Sequence, residues 1–185
     1  MELLIAGLVI FFGMHLIPSR PSLRNSLLSK LGEKGFKAVF ALISLAGLVL
    51  IVLGKGDAEF IALYEPPEWG KHVTSLLVLV ALYCLISSEL KTSLRSVTAH
   101  PMLWGISAWA GGHLLANGDR ASVLLCASFL IYSLFAMASA NRRGARPKGD
   151  GLAVKGDGIA LVIAAVIYIG LMFFHASIAG VPIME

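Results

Sequence analysis

Six apolar runs follow one another along this chain, divided by short polar connections. They cover approximately 3–17, 36–53, 73–88, 102–116, 122–140 and 158–179. A helix needs roughly 20 apolar residues, within a range of about 17–25, to cross a bilayer. The first, third and fourth runs are short by that measure. They are expected to tilt little, to thin the bilayer or to extend into their polar flanks. Inside hydrocarbon every backbone polar group must be satisfied within the protein, which here favours helices. The pattern predicts an all-α, polytopic transmembrane helix bundle of about six helices, forming one membrane domain over 1–185. Five crossings plus a re-entrant fourth run is the alternative.

Composition agrees. Of the 185 residues, 57% are hydrophobic and only 14% are charged, with a mean hydropathy of +0.83; soluble domains average about 25% charged residues. The net charge of +4 does not point to nucleic acid, because the basic residues sit in the connections and act as topology signals. Arg20, Arg24, Lys30 and Lys34 fill the first connection, Lys91 and Arg95 the third, and Arg142, Arg143, Arg146, Lys148 and Lys155 the fifth. The second carries Asp57, Glu59, Glu65 and Glu68, the fourth only Asp119 and Arg120, and the tail ends in Glu185. Odd connections are therefore expected in the cytoplasm and both termini on the non-cytoplasmic side. No basic region precedes the first run, so that run reads as a retained anchor rather than a cleaved signal. Cys84 and Cys126 lie inside apolar runs and read as small buried hydrophobes. Without a Cys-x-x-Cys-His, covalent c-type haem attachment is excluded.

The connections carry recognisable punctuation. Pro18 and Pro21 stop the first helix, and Pro66-Pro67 breaks the second outer connection. Asn117-Gly118-Asp119 reads as a tight turn with Asp119 capping the next helix. Lys148-Gly149-Asp150-Gly151 and Lys155-Gly156-Asp157-Gly158 read as a flexible linker, with Asp157 as cap of the last helix.

Candidate chemistry is narrow. Glu89 is the one acid near a helix interior and reads as the end of the third helix; nucleophile elbows, His-Glu-x-x-His and phosphate loops are absent from the sequence. Five histidines remain. His72 and His100 open helices and fit interfacial placement. His15, His113 and His175 lie in apolar runs, where an ionisable side chain is a functional candidate by default and bonding to a neighbouring helix is the plainer reading. Neutral imidazole ligates haem iron, and helix bundles can hold the macrocycle between facing helices. Trp109 shares the His113 face, and Gly105, Ala108 and Gly112 form a small-residue stripe that suits either close helix packing or a flat cofactor. Gly7 and Phe11 share the His15 face; Tyr168 and Met172 share that of His175. Met14 and Met172 are soft potential ligands, with core filling the simpler role.

His100-Pro101-Met102-Leu103-Trp104-Gly105, Trp109-Ala110-x-x-His113 and Leu114-Leu115-Ala116-Asn117-Gly118-Asp119, with Gly13-Met14-His15, resemble the NnrU family over essentially the whole chain. The resemblance implies a bacterial inner (cytoplasmic) membrane protein linked to nitrite and nitric oxide reduction. The family is similar to the cis-zeta-carotene isomerase, a membrane enzyme that uses non-covalent haem b. There a first-helix histidine and the histidine of a Trp-Cys-x-x-His-like segment are implicated as iron ligands; they match His15 and His113 here. The relative's cysteine falls on Ala110, a departure that bears on the isomerase mechanism rather than on haem. The resemblance thus implies haem b on His15 and His113; the residues' own setting adds His175 and Trp109 as further cofactor contacts. The partners expected are the lipid bilayer, haem and a membrane oxidoreductase, with no nucleic acid. Two alternatives stand beside it: a cofactor-free accessory or assembly subunit of such an oxidoreductase, and an isoprenylcysteine-type methyltransferase relative. The second rests on His-Pro-Met-Leu-Trp-Gly, but Ala99 replaces that family's arginine and its paired downstream glutamates are missing.

A simple six-crossing arrangement sets His15 and His113 roughly 15 Å apart in depth at 1.5 Å rise per residue. It would make His113–His175 the better pair.

Overall fold

Why the runs become helices is visible at their ends. In the computed structural model, which describes residues 1–179, α1 (Glu2–Leu16) gives way at Pro18 to a 3-10 turn. Pro21, expected as a helix breaker, instead opens α2 (Pro21–Gly56) at its first turn, where its missing N–H costs nothing. Then come α3 (Gly70–Glu89), the short α4 (Leu94–Val97), α5 (Pro101–Ala116), α6 (Arg120–Arg142) and α7 (Val154–Ala179). Glu185 lies outside the described residues.

Two connections differ from expectation. The basic stretch 21–35 is helical, continuing into α2 through a kink at Gly32, whose φ of 68° suits glycine. Leu23, Leu27 and Leu31 at i, i+4 spacing give this arm an apolar stripe beside Arg24, Lys30 and Lys34. The 148–153 linker is fastened rather than loose. The N–H groups of Lys148 and Gly149 each donate to Arg95 O at 2.9 Å, and Ser96 Oγ donates to Gly151 O at 2.9 Å.

Among the described residues five helices (α1 with its 3-10 turn, α2, α3, α6 and α7) are long and apolar enough to cross a membrane. With 16 residues α5 is about 24 Å long at 1.5 Å per residue, yet it runs antiparallel beside α3. Gly112 faces Thr74 and Leu77, while Gly105 faces Ala81, Cys84 and Leu85. At one end Gly70 packs on the Leu115 carbonyl; at the other His100 bonds Asn141 of α6. The fourth run therefore passes along α3 from end to end and does not turn back.

The helices pack in the spatial order α2, α1, α6, α5, α3, α7. α1 lies antiparallel to α2, with Gly7 and Gly47 letting backbones approach, so that a Cβ on Gly7 would sit 2.6 Å from Ile51 N. α1 runs parallel to α6: Leu4 packs with Ala121, and His15 meets Tyr132. A core of Leu4, Leu8, Ile51 and Ala121 joins these three helices. The start of α1, the 57–69 and 117–119 connections and the end of α7 share one end of the bundle. The opposite end holds 17–34, 90–100 and 143–153 and, with Lys37, Arg142 and Lys155 at their edges, twelve of the fifteen Lys and Arg residues.

Candidate functional site

Two histidines are built into their helices by the same local device. In α1, His15 Nδ1 lies 2.7 Å from Phe11 O one turn earlier, and its ring stacks on Phe11 at 4.0 Å. In α5, His113 Nδ1 lies 2.9 Å from Trp109 O, with the rings 4.9 Å apart. A carbonyl only accepts, so each bond makes Nδ1 the protonated nitrogen and leaves Nε2 with its lone pair. Metal-binding histidines are commonly oriented by such a bond. Both side chains are half-buried.

An aromatic seam joins the two. Phe129 of α6 contacts Phe11 at 5.5 Å, Phe12 at 5.0 Å and Trp109 at 5.6 Å. Phe40 of α2 and Tyr132 of α6 flank the His15 ring, and Tyr132 Oη donates to His15 O at 3.0 Å. Ser107 and Ser133 hydroxyls, 2.7 Å apart, set the α5–α6 register and bring His113 level with Ala127. His15 is level with Tyr132, so the two imidazoles differ in depth by about 7.5 Å. That is half the separation expected from sequence, but Phe11, Phe129 and Trp109 stand between the rings. Two axial imidazoles on one iron need their nitrogens about 4 Å apart, given bonds near 2 Å.

His175 lies in α7, which packs on α3. His72 is exposed at the start of α3, away from this group. His100 Nε2 is 2.7 Å from Asn141 Oδ1 at the other end of the bundle. Gly105 and Gly112 are consumed by packing on α3, so that stripe serves helix contact and not cofactor space. Ala110 is fully buried and brings no sulfur to the seam; Cys84 packs on Gly105, and Cys126 is buried in α6.

A cap of polar contacts closes the site's end. Asp119 accepts from the Ser122 N–H at 3.0 Å, as expected of a helix cap, and from Lys55 Nζ at 3.4 Å. Burial opposes its ionisation, but the Ser122 and Lys55 contacts outweigh this and hold the carboxyl below its ordinary range. Leu63 N and Tyr64 N donate to Gly118 O, while the Tyr64 hydroxyl donates to Leu114 O and Asn117 O. Burial raises the Tyr64 phenol and keeps it a donor. Asn117 N–H in turn donates to His113 O at 2.9 Å. The cap thereby fixes the turn of α5 that carries His113.

Asp157 does not cap α7, which begins three residues earlier. Its carboxylate instead receives Ser93 N at 2.8 Å, Ser93 Oγ at 2.5 Å and Tyr83 Oη at 3.0 Å, tying α7 to α3. Phe129, Lys55 and Ser93 escaped the sequence reading because their roles depend on long-range packing.

Among the described residues, no group of three or more His, Cys, Asp or Glu side chains converges to hold a bare metal ion. Haem brings four equatorial nitrogens of its own and asks the protein for only one or two axial ligands. The tautomer fixed on His113 leaves Nε2 able to serve as one such ligand, beside Trp109. The family described as "NnrU protein" matches residues 3–183. No curated protein and no solved structure matches the chain.

Proposed function

The chain belongs to the NnrU family, and from that premise we propose that it is a haem-b membrane protein of nitrite- and nitric-oxide-linked redox metabolism. His113 would hold the iron through Nε2, with His175 as the second imidazole. The observation that carries this is the Nδ1–H bond from His113 to Trp109 O, which presents Nε2 as a ligand in an apolar, aromatic setting. When bound, haem b supplies one-electron exchange and an iron centre able to take nitric oxide. The protein's part is to fix the tautomer, to pack Trp109 and Phe129 beside the imidazole, and to hold water away. His15, with the same tautomer, takes the place of His175 in the alternative pair that the family resemblance implies. The aromatic rings between His15 and His113 favour the His175 pairing. Ala110 gives the isomerase reading no thiol for a ligand switch, which favours the redox role. The twelve basic residues gathered at one end support a cytoplasmic face there by the positive-inside rule, and the family resemblance supports a bacterial inner membrane.

Alanine at His15, His113 and His175 in turn, read by haem content of protein purified from haem-replete cells, tests the proposal. Loss at His113 and His175 with His15 indifferent supports it. Loss at His15 and His113 alone restores the other pair. Full retention in all three variants removes haem ligation from this site.

A further inference from the structure

The His100–Leu103 segment takes no part in the imidazole seam; it lines a separate cavity of about 230 Å³ at the basic end of the bundle. Ser88, Arg95, Thr98, His100, Met102 and Lys148 form its walls. Arg95 and Lys148 come from different connections, brought together by the backbone bond from Lys148 N to Arg95 O at 2.9 Å. Among the described residues the ion pairs are Lys37–Glu33 and Lys55–Asp119, so neither cation is neutralised by a carboxylate. The guanidinium reaches only Leu90 O at 3.4 Å. Glu89 is exposed and engaged by the Ser88 hydroxyl at 3.2 Å. One wall is the first turn of the 16-residue α5, whose N–H groups have no side-chain cap and whose dipole favours an anion. The cavity lies where α3 ends and α5 begins, and the end of a crossing helix is where a bilayer's phosphates are expected. Its volume is below the roughly 300–1,000 Å³ of sites for drug-sized molecules and cofactors, which leaves room for a headgroup-sized anion.

We propose that this cavity binds a phosphate group, carried by an anionic phospholipid or present as free phosphate. Two basic side chains at about 1 kcal/mol each are worth about 25-fold in affinity. Native mass spectrometry of the purified full chain, titrated with phosphatidylglycerol, phosphatidylcholine or inorganic phosphate, measures it. Phosphatidylglycerol is expected to bind more tightly than phosphatidylcholine, and the double variant Arg95→Gln/Lys148→Gln to lose about 25-fold. Arg142→Gln/Arg146→Gln removes two exposed charges of the connection that carries Lys148, both outside the cavity, and should leave binding within about twofold. The exchange Arg95→Lys/Lys148→Arg keeps both charges and should keep binding, which separates loss of charge from loss of fold. Competition by inorganic phosphate assigns the site to free phosphate; binding of the lipid without competition assigns it to a headgroup. Equal losses in the two charge-removing variants, or no binding of any phosphate-bearing probe, would overturn the proposal.

Discussion

Removing the Asp119 carboxylate separates its two roles, helix cap and ion-pair partner. Asp119 is 6% exposed and accepts from Ser122 N–H at 3.0 Å and from Lys55 Nζ at 3.4 Å. Losing an N-cap costs about 1 kcal/mol. Lys55 is 38% exposed, so solvent screening limits the ion pair to about 0.5 kcal/mol. Asp119→Ala should therefore cost about 1.5 kcal/mol, and Asp119→Asn, which keeps an acceptor oxygen for the cap, about 0.5 kcal/mol. At about 2–4 °C per kcal/mol for a chain of this size, the midpoint falls by about 3–6 °C for alanine and 1–2 °C for asparagine. Thermal unfolding of the protein in detergent, followed by tryptophan fluorescence, reads both. The pH dependence has a definite sign. The Asp119 carboxyl is held below its ordinary value of 3.8, so the charge contributes fully above that value and its contribution is lost as pH falls through the depressed one. The wild type–Asp119→Asn difference should be constant from neutrality down to about pH 4 and close in stronger acid. An alanine variant as stable as wild type, or a difference that widens on acidification, would refute the reasoning.

Gly112→Leu should separate α3 from α5, since a Cβ there already meets Leu77 Cβ at 3.2 Å; a loss of about 1–3 kcal/mol is expected in the same melt, whereas Gly13→Ala, with nothing within 4 Å, should be near neutral. Cysteines introduced at Asn25 and Pro147 should resist a membrane-impermeant thiol reagent in intact spheroplasts while one at Glu59 reacts; labelling at Asn25 but not Glu59 would reverse the orientation.

Much of the architecture was legible because bilayer length and charge alternation are properties of the sequence itself. The six apolar runs map onto α1, α2, α3, α5, α6 and α7. The exception on charge was 21–35, where basic residues suggested a loop although Leu23, Leu27 and Leu31 carry a helical stripe. Asp119 was legible as a cap because capping is local. Asp157 was not, because its partners Ser93 and Tyr83 are distant in sequence. The histidines could be singled out by their apolar setting, and Trp109 by its i−4 spacing from His113. Their grouping depended on the spatial order α2–α1–α6–α5–α3–α7, which no spacing rule encodes. That order places Phe129 between His15 and His113, and it turned the Gly105–Gly112 stripe from room for a cofactor into a helix contact.

The central claim is that His113 Nε2 holds haem iron, and the sharpest test replaces that ligand chemically. His113→Gly leaves a space the size of an imidazole ring. The purified variant should lose the Soret band and the haem, and both should return when apo-protein is reconstituted with haem b in the presence of added imidazole. Haem retained in His113→Gly without imidazole, or a wild-type protein that takes up no haem under the same conditions, would contradict the claim.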